Sequence, residues 1–187
     1  MITIIVGPEE RSFKVHKEVI CATSKFFKTA CSEKILRQPD GTPEQYKTYV
    51  DWASTSELDI ETEDPDLQLS GLIDLFILGD VLDDYQFRNA TMEQLIATTL
   101  GSTHSFSFEQ LDKVYAATVA GSPLRLFVVW WLLVNMNHRH FKSNVAQYPA
   151  ELVQEIAVAN LERHAQLTDK ESVRLLRVLV KPEKDTA

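Results

Sequence analysis

Cysteine is scarce in this chain: Cys21 and Cys31 are the only two in 187 residues. They stand ten apart, which offers neither a disulfide framework nor the paired close spacings of a zinc site. Thiols in that setting read as small buried hydrophobes of a reducing compartment. Basic charge is also short. Lys and Arg number 19 against 27 Asp and Glu, a net charge of −8. An acidic surface repels phosphate backbones and argues against a nucleic-acid partner. No hydrophobic run is long enough for a bilayer; the most apolar one, residues 124–134, carries Arg125 and is too short to span. Met1 is followed at once by a strand pattern and not by a signal peptide. The expectation is an intracellular, soluble protein without a membrane partner.

The glycine-rich motifs of nucleotide and hydrolase sites are missing as well. No Gly-x-Gly-x-x-Gly, Gly-x-x-x-x-Gly-Lys or Gly-x-Ser-x-Gly occurs, so a phosphate cradle or nucleophile elbow has no support. No cofactor or small-molecule substrate is expected. No zinc finger or repeat array is present. What remains is ordinary globular material, 44% apolar and 25% charged. A chain of this length can bury roughly 70% of its unfolded surface without a metal or disulfide.

The informative stretch lies near the start. Residues 2–6 are β-branched and apolar on both faces and predict a buried strand. Residues 7–11 are turn chemistry. Phe13 and Val15 then alternate with Ser12 and Lys14, the two-residue period of a half-buried strand. From His16 onward the apolar positions are Val19, Ile20, Thr23, Phe26 and Phe27, the three-and-four spacing of a helical face.

A strand running straight into a helical pair, with Phe13, Val15, His16-Lys17, Ile20, Ser24 and Phe27 in this order, resembles the BTB/POZ domain. Further on, a helix is predicted from Thr42-Pro43-Glu44-Gln45, which supplies a cap, a first-turn proline and a capping box. Tyr46, Tyr49, Val50 and Ala53 line one of its faces. Its exit is similar to the family's Trp-x-Tyr-x-Gly-x-Leu pattern, with Trp52 and Leu58 kept and Ser54 and Ser56 replacing Tyr and Gly. Residues 72–82 with Phe87 and Asn89 resemble the family's last two helices, so the likeness covers roughly residues 1–100. It implies an α+β fold, a small mixed β-sheet packed with α-helices, here followed by a C-terminal helical extension over 101–187. Gly121-Ser122-Pro123-Leu124-Arg125 and Tyr148-Pro149-Ala150-Glu151-Leu152 are similar to the extension of many fungal-type members.

Between these parts, residues 57–66 hold six carboxylates and one proline, which predicts an exposed loop. A short strand is predicted over 33–37, a helix over 67–82, and a new helix start at Asp83-Asp84. A linker is predicted over 101–105. Four helices should follow: one opened by the Ser107/Gln110 capping box, one capped at Ser122-Pro123, one opened by Pro149 over 150–165, and one over 172–180 capped by Thr168 and Glu171.

Several residues invite chemistry and have plainer readings. His16 reads as a structural hydrogen-bonder at the strand–helix joint, with no catalytic partner near in sequence. Lys17 matches a basic residue that pairs with an Asp at the first strand in some family members; here that place falls near Met1 and holds no acid. Cys21 sits within the apolar helical pattern, as a buried structural thiol would. His138-Arg139-His140 converge on a metal only in a strand, and at a helix C-terminus they would instead oppose its dipole. The acids of 57–66 lack the calcium-loop pattern. Phe127, Trp130 and Trp131 lie on a helix apolar nearly all round, which suits a central helix, with an interface as the other reading.

No catalytic or metal site is therefore assigned. The resemblance implies a non-enzymatic protein–protein interaction module, self-associating as a homodimer or docking a partner. A finer reading is a substrate adaptor on a cullin scaffold of a ubiquitin ligase. The outer faces of 15–30 and 43–54, including Lys17, Phe27, Tyr46 and Tyr49, are the candidate partner-binding residues, with the acidic loop as a steering rim. An unrecognised enzyme using Cys21 or Cys31 with a histidine is the remaining alternative.

Overall fold

A computed structural model of the chain describes residues 1–30, 32–38, 41–60, 62, 64–100 and 105–165. Strand β1 (Ile2–Val6) turns through Gly7, whose φ of +70° is a left-handed value that suits glycine, into β2 (Arg11–Val15). Two short helices follow, α1 (Lys17–Thr23) and α2 (Lys25–Ala30), and then β3 (Ile35–Gln38). The sheet order is β2-β1-β3, with β1 antiparallel to β2 and parallel to β3. Parallel neighbours need a crossover, and the α1–α2 hairpin supplies it. Ile2, Ile4 and Val6 face the core while Thr3 and Ile5 are half-buried, so β1 alternates where its composition suggests two buried faces.

The rest is helical: α3 (Pro43–Thr55), α4 (Pro65–Val81), α5 (Tyr85–Leu100), α6 (Phe108–Ala117), α7 (Pro123–Asn135), α8 (His138–Asn144), a 3-10 turn at Val145–Gln147, and α9 (Ala150–Ala165). The fold is α+β, as the sequence predicts. The Thr42/Gln45 capping box of α3 and the Ser107/Gln110 box of α6 are both formed. Helix α9 has the expected bounds. Helix α4 starts earlier than its apolar period suggests, because Asp64 accepts from the amides of Asp66 and Leu67 and Pro65 takes the first helical position. The last two acids of the predicted loop thus begin a helix.

Ser122 does not cap α7 with its side chain: its Oγ is buried without a hydrogen-bond partner. His138, Arg139 and His140 do not end a helix. Asn137 caps a new one through the Arg139 amide, so they occupy its first turn. The helix predicted over 172–180 and the linker residues 101–104 lie outside the described residues.

Two compact units are present, Met1–Leu124 and Arg125–Ala187. Helix α6, placed with the extension by its sequence position, packs within the first unit. Gln110 donates to Ser70 Oγ at 2.8 Å and Lys113 pairs with Asp74 at 2.9 Å, both on α4. In the second unit Arg125 is buried and forms ion pairs with Glu151 and Glu155 of α9. The Trp-Trp pair divides: Trp131 and Phe127 are buried, whereas Trp130 is 46% exposed and stacks on Phe127.

The α3 exit places a non-glycine residue in a left-handed conformation. Ser56 caps the helix with φ +62°, and its amide donates to the Trp52 carbonyl at 2.7 Å. A side chain in that left-handed region is strained. Ser56→Gly is expected to stabilise the protein by about 0.5–1 kcal/mol, read as a higher urea midpoint at unchanged m-value.

Candidate functional site

The region around the strand–helix joint is built from the backbone outward. Val15 closes β2, and His16 takes an extended conformation at the N-cap of α1. Its carbonyl accepts from the amides of Val19 and Ile20, but its imidazole makes no capping bond. The structural role expected of the His16 side chain is therefore carried by its main chain. Lys17 follows as an exposed residue in the first helical turn.

Ser24 separates α1 from α2 and is fully buried. Its Oγ accepts from the Phe27 amide at 3.1 Å and donates to the Leu82 carbonyl at 2.6 Å. This gives the Ser-x-x-Phe spacing a physical meaning. The hydroxyl caps α2 three residues ahead, and the residue whose amide it caps sends its ring into the core. The α2 amides of Lys25 and Phe26 donate to the carbonyls of Asp83 and Leu82 at 3.2 and 3.3 Å. The α1–α2 turn is thus fastened to the α4–α5 turn.

Asp84 is the centre of that fastening, and it is fully buried. One carboxylate oxygen accepts from Tyr49 Oη at 2.9 Å and Thr23 Oγ1 at 2.5 Å; the other accepts from the Phe87 amide at 3.1 Å as the cap of α5. Gly79 lets the two helices approach there: a Cβ on it would lie 3.2–3.3 Å from Arg88 atoms, and its carbonyl accepts from the Asp84 amide. Burial first, and the Asp84 charge second, push the Tyr49 phenol far above its ordinary value. Tyr49 therefore stays a hydrogen donor at any working pH.

These contacts decide the candidate partner residues. Phe27 and Tyr49 are 0% exposed and Tyr46 is 1% exposed. They do not lie on an outer face, and the expectation that they bind a partner is corrected. The apolar stripe of α3 is its inner side. Phe27 and Tyr49 stack at 6.0 Å, and Tyr49 and Trp52 each meet Phe87 at 4.9 Å. Only Lys17 of the four is at the surface. Asp84 was legible as a helix start but not as a buried node, since Tyr49 and Thr23 are 35 and 61 residues away.

Cys21 is half-buried and disulfide-bonded, which corrects its reading as a free thiol. A sulfur in that state is not a thiolate nucleophile. Cys31 lies outside the described residues. Among the described residues no group of three or more His, Cys, Asp or Glu is placed to hold a metal, and no helix is long and apolar enough to cross a membrane.

No protein-family model matches the chain, and no curated protein matches it. Among solved structures, the BTB domain of zebrafish PATZ1 is similar at 24% identity and a TM-score of 0.41, over 54% of this chain and 75% of that one.

Removing the Asp84 carboxylate leaves a buried phenol and hydroxyl without their acceptor and uncaps α5. Asp84→Ala is expected to cost about 3 kcal/mol and Tyr49→Phe about 1 kcal/mol in urea unfolding, with the double variant less than additive. The raised Tyr49 pKa stabilises the fold fully below the unfolded phenol value of about 10 and progressively less as pH rises above it. An alkaline loss of stability that is smaller in Tyr49→Phe than in the parent is the check, since Tyr148, also raised by burial, remains.

Proposed function

We propose that the chain is a non-enzymatic protein–protein interaction module of BTB/POZ type, with residues 1–100 as the interaction domain and 101–187 as its helical extension. The observation that carries this reading is the joint at residues 12–27. The resemblance rests there on an ordered set of residues, and five of them have a physical task. Val15 closes the strand, the His16 carbonyl starts α1, Ser24 caps α2, and Ile20 and Phe27 are fully buried. The crossover of α1 and α2 between two parallel strands gives the same order of elements that the family resemblance implies.

The surface assigned to association is the exposed side of α1 and α2, where Lys17, Glu18 and Lys28 reach solvent. Self-association through this side is the first reading. Docking on a cullin scaffold as a ubiquitin-ligase adaptor is the second, supported by the solvent-facing row Glu44, Lys47 and Asp51 on α3. Charged rims of this sort set association rate and partner choice more than affinity. An intracellular setting belongs to the same proposal.

Light scattering on the eluting full chain tests the first reading. A mass of at least twice 21.3 kDa is expected for the parent, and Lys17→Glu should shift the species toward the monomer by weakening association about tenfold. A parent that stays monomeric at high micromolar concentration, and that also leaves a purified cullin N-terminal domain unbound, contradicts both readings.

A further inference from the structure

Helices α3 and α4 leave a groove between them, a cavity of about 570 Å³ within the first unit. Its floor is apolar, made by Ile60, Gly71 and Leu75. Its rim is acidic, carrying Asp51, Glu57 and Asp59, all exposed and without ion pairs among the described residues. Two further carboxylates of the lining are already neutralised, Glu44 by Arg11 at 3.3 Å and Asp74 by Lys113 at 2.9 Å. Lys47 is the only cation among the described lining residues. A volume of this size holds a few side chains, and an apolar floor under unneutralised carboxylates selects their chemistry.

We propose that this groove takes a short basic peptide segment, with one or two aliphatic side chains on the floor and Lys or Arg side chains against Asp51, Glu57 and Asp59. Helix α3 is about 20 Å long over its 13 residues, which an extended segment of about six residues matches. Charge complementarity favours this occupant. The three carboxylates repel an acidic segment, while a purely polar basic one gains nothing from the floor. The inference rests on the interaction-module reading but uses α3 and α4, not the Lys17 side.

Fluorescence anisotropy with the full chain tests it, using labelled peptides of about six residues. One alternates lysine with leucine, one lysine with serine and one glutamate with leucine. The lysine–leucine probe is expected to bind at least tenfold more tightly than the lysine–serine probe, and the glutamate–leucine probe not to bind. Gly71→Leu fills the floor and should weaken the lysine–leucine probe at least tenfold. A Cβ at Gly71 sits at an ordinary 3.6 Å from Ile60, so Gly71→Ala should keep both fold and binding. Neutralising Asp51, Glu57 and Asp59 together as Asn, Gln and Asn should weaken both lysine probes.

Equal binding of the two lysine probes overturns the proposal, as does unchanged binding in Gly71→Leu and in the neutralised variant. A change in the scattering mass of the neutralised variant without peptide also overturns it, since the groove would then seat a second copy. A parent chain that self-associates but binds no peptide rejects the groove alone. A parent chain that binds the lysine–leucine probe but stays monomeric rejects the Lys17 side alone.

Discussion

A single buried carboxylate holds the first unit together. Asp84 is removed from water, and that is tolerable only because three donors from three different places converge on it: the end of α1, the middle of α3 and the first turn of α5. Each donor would cost free energy if left alone, so the three elements are obliged to meet at one point. Around that point the α2 amides add to the carbonyls of the α4–α5 turn, and Phe27, Tyr49, Trp52 and Phe87 pack as a continuous aromatic cluster. The sheet then packs on a helical layer whose relative placement the Asp84 contacts have already fixed. The polar centre supplies position, and the apolar cluster around it supplies most of the driving force.

What could be read from the sequence follows the range of the interactions concerned. Local devices were legible. The capping boxes at Thr42 and Ser107, the strand alternation at Phe13 and Val15, and the Pro149 helix start are all written within four residues of one another. Asp64-Pro65 carried the same cap-and-proline signal as Thr42-Pro43, but its setting in a run of acids made it look like a loop. The three aromatic candidates went astray for a different reason. Periodicity identifies the apolar face of α3 and cannot say that the face points inward, which depends on what the remainder of the chain brings against it. The role of Asp84 was out of reach altogether, because two of its donors are remote in sequence.

The same distinction applies to the functional site. The joint at residues 12–27 has a compact signature because Val15, His16, Ile20, Ser24 and Phe27 each serve the adjacent backbone or core. Ser24 is tied by its hydroxyl and Phe27 by its ring, so neither is available to a partner. The surfaces proposed for recognition, at Lys17 and along the acids of the α3–α4 groove, are made of exposed residues that carry no periodic mark. A net charge of −8 is spread unevenly, with carboxylates gathered along α3 and the following segment while Lys17 and Lys28 stand on α1 and α2.

The most direct measurement of the central claim is native-state hydrogen exchange at individual amides. Phe26, Phe27 and Phe87 donate their amides to the Leu82 carbonyl, Ser24 Oγ and the Asp84 carboxylate, all at the fastening between the two turns. The account predicts that these amides exchange only through global unfolding of the unit, with protection equal to that of the β1 core amides. Exchange as fast as that of an unprotected loop amide would mean that the two turns open independently, and the buried carboxylate would not be what holds the fold.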